Sequence, residues 1–270
     1  LMMGLAVIVG TVIACNSLEL MLHNIVGVMW GFLTAFALTA ASMVINDVFD
    51  VNVDKVNAPW RPIPSGRMSL ITAKAYFLAL CIIGLLASYF INSLALLVAF
   101  ISIIISYTYS AWGKRTGLLG NAMVSLCVAI PFIYGSIIIY NSIIPITLIF
   151  FTIAFLANMG REVTKGMVDV EGDKLRGIKT VALVYGLSKA ALVSIIFYLS
   201  AVALSILPII LRLVSIYYIP FIIITDIGFI YSSIKLIKNP SKENAYTVKK
   251  MVLIWMLTGM LAFLAGRIAL

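Results

Sequence analysis

Long apolar stretches alternate with short polar segments along the whole chain, and most are long enough to cross a bilayer as a helix. The stretches are continuously apolar, whereas the strands of a transmembrane barrel alternate apolar and polar residues. Two runs are too long for one helix, and Asn92–Ser93 and Asn141–Ser142 supply the turns that divide them. The pattern predicts nine membrane-spanning helices, over residues 1–18, 24–46, 72–90, 94–112, 119–139, 144–168, 189–208, 215–235 and 250–269.

Composition agrees with a polytopic helical membrane protein. Of the 270 residues, 63% are hydrophobic and 11% are charged, against about 25% charged in a soluble domain. These values exclude a soluble enzyme, a disordered chain and a secreted disulfide scaffold. Leu1 already lies in an apolar run with no charged residue before it, which we interpret as a span and not as a signal peptide.

The positive charges predict how the chain is oriented in the membrane. All but two of the 19 lysines and arginines lie in or beside the polar segments that follow spans two, four, six and eight; Arg212 and Arg267 are the exceptions. The positive-inside rule places those four segments and the N-terminus in the cytoplasm, and the C-terminus outside. A net charge of +9 on such a protein indicates contact with anionic headgroups. We therefore expect a multi-pass protein of the cell membrane with membrane lipids, and no nucleic acid, among its partners.

Acidic residues concentrate in two segments, at the cytoplasmic ends of spans two and six. The first reads N-D-x-x-D-x-x-x-D, and its Asn46, Asp50 and Asp54 share one face if the second helix continues through them. In the second segment, Arg161, Lys165, Asp169 and Asp173 also recur every four residues, which predicts one face of the sixth helix. The two segments lie four spans apart. This spacing suggests a single domain, 1–270, of two loosely similar halves, about 1–115 and 116–235, with a ninth helix at 250–269.

Clustered carboxylates at a membrane surface need a counter-charge. Two carboxylates 4 Å apart repel by about 4 kcal/mol at an effective dielectric constant of 20, and a divalent cation removes that cost. Oxygen ligands with open positions suit Mg²⁺, which commonly binds one or two carboxylates together with substrate phosphates. Cations beside the acids would then hold the remaining phosphate oxygens. A solvated, charged helix end would explain one such segment more readily than two.

Two further polar segments carry candidate residues. Tyr107, Tyr109 and Lys114 lie at the cytoplasmic end of span four, where they would also fit an aromatic belt and a topology signal. The loop after span two contains three prolines together with Arg61 and Arg67. Because proline fixes φ, this loop is stiff, and it would serve either as a phosphate clamp or lid or as a rigid linker with solvated arginines.

The motif pair N-D-x-x-D-x-x-x-D and D-x-x-x-D, on nine predicted helices, resembles the UbiA superfamily of intramembrane prenyltransferases over essentially the whole chain. The stretches NDVFDVNVDKVNAPWRPIPSG and REVTKGMVDVEGDKLRGIKT are most similar to its archaeal ether-lipid branch. The resemblance implies an all-α polytopic fold, with nine helices around a central cavity and a polar cap on the cytoplasmic side, where the active site faces the cytoplasm.

The resemblance also implies a reaction. A geranylgeranyl group would pass from geranylgeranyl diphosphate to the sn-2 hydroxyl of geranylgeranylglyceryl phosphate, a lipid-like phosphorylated acceptor. The alternative within the superfamily is an aromatic or tetrapyrrole acceptor, as in quinone or chlorophyll-like pathways. The two arginines of the loop after span two favour the phosphorylated acceptor.

The superfamily's site residues map onto matching positions of this sequence. Mg²⁺ would be bound by Asn46, Asp50 and Asp54 at one site and by Asp169 and Asp173 at the other. Asp50, Asp173, Lys114 and Tyr109 are the residues expected to be catalytic. By the same match, Lys114 would contact the diphosphate. From their charge and position, Arg161 and Lys165 are further candidates for the diphosphate, and Arg61 and Arg67 for the acceptor phosphate. Further polar contacts are expected from Asn16, Asp47 and Tyr107.

Two other functional classes remain alternatives. A secondary transporter would carry ionisable groups near the membrane midplane, whereas most acids here lie at the predicted cytoplasmic ends of helices. A membrane protein without chemistry would not need two carboxylate segments facing cations. Asp226 lies inside span eight, and we expect it either to line a cavity or to make a helix-packing hydrogen bond.

Overall fold

The computed structural model describes residues 2–15, 17–175 and 177–267, and the regular structure within these ranges is helical. A single 3₁₀ turn, Gly113–Arg115, separates α5 from α6. The α-helices, in chain order, are α1 (Met2–Ala14), α2 (Leu18–His23), α3 (Ile25–Asn57), α4 (Leu70–Tyr89), α5 (Ser93–Ala111), α6 (Leu118–Tyr140), α7 (Pro145–Val168), α8 (Val170–Leu175), α9 (Val181–Tyr185), α10 (Leu187–Ser205), α11 (Leu207–Ile210), α12 (Tyr218–Lys238) and α13 (Lys242–Gly266).

Eight helical segments in the described part of the chain are long and apolar enough to cross a membrane: α3 to α7, α10 with α11, α12 and α13. They match the second to ninth predicted spans, so the all-helical, multi-pass architecture is confirmed. At the first predicted span the structure has α1, an apolar helix of 13 residues. Its length of about 20 Å is shorter than a bilayer core of about 30 Å. The count of nine therefore stays a prediction, as do the two similar halves.

Helix α3 is longer than a bilayer crossing. Its 33 residues extend for about 50 Å, so its C-terminal turns reach beyond a core of about 30 Å. The helix runs without a break through Asn46, Asp50 and Asp54. These three residues therefore share one face, as the spacing predicted.

The second acidic segment does not form one continuous helix, and this part of the prediction was wrong. Helix α7 ends at Val168, Asp169 follows as its C-cap, and α8 starts at Val170. A helix C-terminus carries partial negative charge, which disfavours continuing the helix into a run of carboxylates. Asp169 and Asp173 therefore lie beyond the end of the helix that carries Arg161.

The final span also differs from its prediction. Helix α13 starts at Lys242, eight residues before the predicted start at residue 250. Ser241 is the N-cap, and its Oγ accepts a hydrogen bond from the Asn244 amide at 3.3 Å. Lys249 and Lys250, which we expected in a loop, therefore lie within the helix. The charged ends of these lysines can remain in water, so the helix can begin before the apolar run that crosses the membrane.

Small residues allow the central helices to approach one another closely. A Cβ at Gly135 of α6 would overlap the backbone of Gly10 in α1, and a Cβ at Gly10 would overlap that of Phe132. Three clusters of buried apolar side chains hold the bundle together. One joins α7, α9, α10, α12 and α13, another joins α1, α6, α7, α12 and α13, and a third joins α1, α3, α5 and α6. Helices α1, α3, α5 and α6 leave a cavity between them.

Candidate active site

A cavity of about 360 Å³ lies between α1, α3, α5 and α6. Most of its wall is apolar and includes Leu38, Ala99 and Val128. Asn46 of the first acidic segment and Tyr109 of α5 also line it. We call this space the first chamber. It connects an apolar interior to the charged ends of two helices.

Hydroxyl groups in the wall of the first chamber are largely satisfied by their own helices. Ser102 and Ser106 of α5 donate to the carbonyls of Val98 at 2.8 Å and Ile103 at 3.1 Å. In α3, Thr39 Oγ1 donates to the Ala35 carbonyl at 2.7 Å. Because these hydroxyls already donate to backbone carbonyls, they need no hydrogen-bond partner from a ligand. The small serine and threonine side chains therefore leave room in the chamber for an apolar ligand.

Lys114 and Asp50 form an ion pair at this charged end. The Lys114 Nζ donates to Asp50 Oδ1, and the side chains are 17% and 24% exposed. Helix α5 ends at Ala111, and the 3₁₀ turn that follows carries Lys114. The turn is stabilised by the Thr116 hydroxyl, which donates to the Gly113 carbonyl at 2.6 Å. The fold thus unites one predicted diphosphate ligand with one predicted metal ligand.

Arg61 joins the other two acids of the first segment. Its Nη1 donates to Asp47 Oδ1 at 2.9 Å and to Asp54 Oδ2 at 2.8 Å. Asp47 and Asp54 are seven residues apart and share a face of α3, so one guanidinium reaches both and offsets their repulsion. The connecting loop, residues 58–69, is thereby fastened to α3.

Arg67, the second predicted acceptor-phosphate ligand, is held within that same loop. Its Nε donates to Ser65 Oγ at 3.0 Å, and its Nη2 donates to the Trp60 carbonyl. Gly66 has φ of +77° and its amide donates to the Ile63 carbonyl at 3.1 Å. Such a backbone conformation favours glycine. The loop is therefore a set of tight turns, which agrees with the predicted stiffness.

At the end of α7, Glu162 pairs with both cations of the second segment. Its carboxylate lies 3.2 Å from Arg161 Nη1 and 3.3 Å from Lys165 Nζ. The Arg161 Nε is buried and has no hydrogen-bond partner among the described residues. Leaving a buried hydrogen-bond donor without an acceptor costs free energy, so this guanidinium is suited to bind an anionic ligand.

Asp169 and Asp173, the predicted ligands of the second metal site, differ in burial. Asp173 is 9% exposed, whereas Asp169 is exposed at the C-cap of α7. The Asp173 amide donates to the Asp169 carbonyl at 2.8 Å, and the Asp173 carbonyl accepts from the Ile178 amide at 2.9 Å. These bonds fix the position of Asp173 although α8 has only six residues.

The two acidic segments converge on Tyr109. The charges of Glu162, Asp50 and Asp173 all act on its hydroxyl. Because Tyr109 also lines the first chamber, this tyrosine marks where the chamber meets both charged helix ends. The structure thus brings together four residues that the sequence placed in three separate segments.

Tyr107 does not join this group. The Tyr107 ring packs against Phe49 at a centroid distance of 5.6 Å and against Phe77 at 6.2 Å, and Tyr107 is 45% exposed. It faces away from the chamber that Tyr109 lines, because two positions along a helix turn a side chain to another face. Asn16 lies outside the described residues.

Sequence reasoning assigned no role to Glu162 or to a buried polar network beside it. Thr164 Oγ1 lies 2.8 Å from the Tyr198 hydroxyl and donates to Ser194 Oγ at 3.1 Å. These contacts join α7 to α10 and hold the turn that carries Arg161. Hydroxyls within apolar runs give no sequence signal of their own. The i, i+4 repeat of Ser102, Ser106 and Ser110, in contrast, could have indicated the wall of the chamber.

The oxygen donors of the site fit a hard divalent cation only together with a ligand. No three acidic, histidine or cysteine side chains in the described parts of the chain are close enough to bind a metal by themselves. The carboxylates form separate groups that are balanced by Lys114, Arg61, Arg161 and Lys165. Mg²⁺ characteristically takes one or two carboxylates and completes its shell with water and phosphate oxygens. A diphosphate would supply the missing oxygens and meet the cations.

Comparisons with known proteins indicate which proteins this chain resembles. The model of the UbiA prenyltransferase family matches residues 4–264. The digeranylgeranylglyceryl phosphate synthase of Methanocaldococcus jannaschii is 36% identical over 239 residues, which are 88% of this chain and 83% of that protein. The synthase of Archaeoglobus fulgidus is 34% identical over 270 residues, covering 98% of this chain and 91% of that protein. These relatives confirm the expected resemblance to the ether-lipid branch.

Solved structures show the same fold. The structure of a digeranylgeranylglyceryl phosphate synthase superposes with a TM-score of 0.89 at 35% identity, covering 100% of this chain and 94% of that one. A UbiA homologue from Archaeoglobus fulgidus bound to GPP and Mg²⁺ has a TM-score of 0.65 at 18% identity and covers 97% of this chain and 95% of that one. At that identity the second similarity concerns the fold alone.

Proposed function

The chain belongs to the UbiA prenyltransferase family, and from that premise we propose that it transfers a geranylgeranyl group from geranylgeranyl diphosphate to the sn-2 hydroxyl of geranylgeranylglyceryl phosphate. The observation that carries the proposal is a set of paired acids and cations, Asp50 with Lys114 and Glu162 with Arg161 and Lys165, beside an apolar chamber that Asn46 and Tyr109 line. A charged head and a long hydrocarbon tail on one substrate match this arrangement. The names of the relatives support the choice of acceptor.

The reaction exchanges one carbon–oxygen bond for another. The bond between C1 of the geranylgeranyl chain and the diphosphate oxygen breaks, and both electrons leave with the diphosphate. An electron pair on the sn-2 oxygen forms the new ether bond to C1. The hydroxyl proton is released to the departing diphosphate or to a carboxylate of the acidic segments. Negative charge therefore develops on the leaving group and positive charge on the chain.

Asn46, Asp50 and Asp54 are proposed to hold one Mg²⁺, and Asp169 with Asp173 a second one. Bound Mg²⁺ would neutralise diphosphate oxygens and so make the leaving group better. The fit rests on hard oxygen donors that do not form a closed site by themselves. Such a site binds metal and substrate together. The binding of a homologous fold to GPP and Mg²⁺ supports this assignment.

Lys114, Arg161 and Lys165 are proposed to bind the diphosphate directly. Asp50 and Glu162 now balance these cations, and a diphosphate would replace or share the carboxylate partners. Charge-assisted hydrogen bonds from such cations strengthen as the leaving group gains charge, so they favour the transition state over the bound substrate. Tyr109 is placed to contact the head of the donor where it enters the first chamber.

The first chamber is proposed to hold the donor's isoprenoid chain. The hydroxyls of Thr39, Ser102 and Ser106 are bonded to carbonyls of their own helices, so they leave the wall of the chamber largely apolar. Exclusion of water from this space would protect the allylic cation from hydrolysis. The chamber would thus bind the isoprenoid chain and also favour ether formation over hydrolysis of the donor.

Arg61 and Arg67 are proposed to bind the phosphate of the acceptor. Arg61 already bridges Asp47 and Asp54, so an acceptor phosphate on this guanidinium would lie beside the first acidic segment. The stiff loop that carries both arginines holds them with little conformational freedom to lose, which lowers the entropic cost of binding. Asp47 would help to orient Arg61.

The charged helix ends are proposed to face the cytoplasm. Loop 58–69 and the α7–α8 region carry most of the positive charge near the site, which is the bias expected of cytoplasmic segments. Cysteine labelling would test this orientation. The three natural cysteines are replaced by alanine, and Gly66→Cys or Ser142→Cys is introduced into that background. Intact cells that express either variant are then treated with a membrane-impermeant maleimide. Reaction at residue 142 and protection at residue 66 until the cells are opened support the proposal. The reverse pattern contradicts it.

A product assay tests the function itself. Purified protein in detergent is given geranylgeranyl diphosphate, Mg²⁺ and either geranylgeranylglyceryl phosphate or 4-hydroxybenzoate, with EDTA as the control. We expect metal-dependent product from the glyceryl phosphate alone. Product from the aromatic acceptor alone would retain the fold and the metal assignment and overturn the choice of acceptor. Absence of product from either acceptor would overturn the proposed function.

A further inference from the structure

A second cavity of about 350 Å³ lies between α1, α6, α7, α10, α12 and α13. Its wall is almost entirely apolar and includes Ala154, Ala201, Phe229 and Met260. We call it the second chamber. It is adjacent to the first chamber, and its lining includes none of the candidate metal- or phosphate-binding residues described above.

The carboxylate in the wall of the second chamber is tied to a neighbouring helix. Asp226 accepts a hydrogen bond from Ser205 Oγ at 2.8 Å, and Ser205 in turn offers its carbonyl to the Tyr218 hydroxyl at 2.9 Å. Asp226 therefore joins α12 to α10 and also lines the chamber, so both roles expected for it are present. The rest of the wall is suited to a hydrocarbon chain.

The two chambers are neighbours of nearly equal size. Met3 and Val128 line both of them and separate them. On α7, the wall of the second chamber reaches Ala157, one helical turn or about 6 Å before Arg161. Both chambers therefore lead toward the same charged helix ends. Leu5 and Leu257, which line the second chamber, are 49% and 53% exposed and give it an apolar margin toward the bilayer.

We propose that the second chamber binds the isoprenoid chain of the acceptor while the first binds that of the donor. This inference rests on the proposed function and adds a substrate subsite to it. The product of that reaction carries two equal chains on adjacent glycerol carbons, so both chains must lie side by side as the ether bond forms. Two apolar chambers of matching size with a shared wall meet this requirement. A protein that alkylates a compact aromatic acceptor would need one.

Side chains that fill one chamber at a time test the assignment. Ala154→Phe fills the second chamber and Ala35→Phe the first; both alanines are partly buried and lie in the middle of a helix. Steady-state rates are measured with geranylgeranyl diphosphate and geranylgeranylglyceryl phosphate. We expect Ala154→Phe to raise the KM of the acceptor about tenfold, which is the loss of burial of about two methylene groups. Its KM for the donor should change less than twofold, and Ala35→Phe should show the reverse.

An acceptor with a ten-carbon chain gives an independent readout. In Ala154→Phe, the ratio of kcat/KM for the short acceptor to that for the full-length acceptor should rise about tenfold over the wild-type ratio, because the shorter chain avoids the added ring. Should Ala154→Phe elute as aggregate, Ala201→Leu, a smaller filling of the same chamber, takes its place.

The outcomes separate this inference from the function on which it rests. Wild-type protein that makes no product from the glyceryl phosphate overturns both. Active wild-type protein with a folded Ala154→Phe that raises the KM of the donor, or changes neither KM, overturns the second-chamber assignment alone. The latter result would mean that the second chamber has no role in binding either substrate chain.

Discussion

Lys114 joins two of the three polar segments that form the candidate site. It lies on a 3₁₀ turn after α5, and its ammonium reaches Asp50 on α3. The pair is three-quarters buried or more, so neither charge is fully screened by water. The ion pair with Asp50 holds the Lys114 side chain in place. A diphosphate that binds there can replace Asp50 as the anionic partner of the ammonium group.

Replacement of this lysine should abolish most of the activity. We expect Lys114→Met to lower kcat/KM at least a hundredfold, because a cation that stabilises the leaving group is worth about 3 kcal/mol or more. Arg115→Met is the matched control, since Arg115 is the next residue and is exposed. Its rate should stay within twofold of wild type. Equal rates for the two variants would show that Lys114 does not contact the diphosphate.

The second acidic segment offers a similar pair of neighbours. Asp173 is buried, whereas the Glu171 side chain is 86% exposed and pairs with Lys242 at 3.1 Å. We expect Asp173→Asn to lower turnover at least a hundredfold, because one metal ligand is lost. Glu171→Gln should retain it, since an exposed ion pair contributes about 1 kcal/mol or less. Wild-type turnover in a folded Asp173→Asn would refute the metal assignment.

At the scale of helices, the charged segments end differently. Helix α3 continues through its acids because Arg61 neutralises Asp47 and Asp54 on the same face. Helix α7 has Lys165 in its last turn and ends before its acids, as expected from the partial negative charge of a helix C-terminus. After the break, backbone hydrogen bonds to Asp169 and Ile178 fix the position of Asp173.

Close contact between α1 and α6 sets the shared wall of the two chambers. We expect Gly135→Ala to lower the free energy of unfolding by about 1–3 kcal/mol, because its Cβ would overlap the backbone of α1 and force the helices apart. Gly166→Ala is the control, since its Cβ would meet Thr180 at 3.4 Å, an ordinary contact. Thermal unfolding in detergent measures both variants. A Gly135→Ala melting temperature equal to that of Gly166→Ala would contradict this packing.

For the molecule as a whole, metal and substrate should bind as a unit. The carboxylates of the candidate site lie in separate groups on α3 and in the α7–α8 region, and no three acidic side chains in the described part of the chain form a metal site alone. Each group needs the phosphate oxygens of the ligand to complete a coordination shell. Ligand binding therefore has to join the two acidic segments, which lie at the charged ends of two different helices.

Thermal stability should reveal this dependence. We expect 5 mM Mg²⁺ alone, or an unreactive thiodiphosphate analogue of the donor alone, to raise Tm by less than about 1 °C. Together they should raise it by several degrees, since a ligand present at 100 times its Kd adds about 2.7 kcal/mol. Asp50→Asn should lose the joint effect. A full shift with Mg²⁺ alone would instead indicate a preformed metal site.

The sequence by itself determined the eight spans that the described part of the chain confirms, the acidic segments and the family. A helix that crosses lipid must satisfy its backbone hydrogen bonds internally and match the thickness of the bilayer, so its position is written locally in about 20 apolar residues. The spacing of Asn46, Asp50 and Asp54 likewise gave one face of α3, because that periodicity belongs to a single helix.

Only the tertiary structure decided which of these side chains meet. Lys114 and Asp50 are 64 residues apart, and acids from two distant segments influence Tyr109 electrostatically. It also decided that Tyr107 faces Phe49, that α7 ends before Asp169, and that Met3 and Val128 separate two chambers. Such contacts depend on how helices of similar apolar composition pack against one another. That packing is set by the shapes of small and large residues on several helices at once, which no local pattern contains.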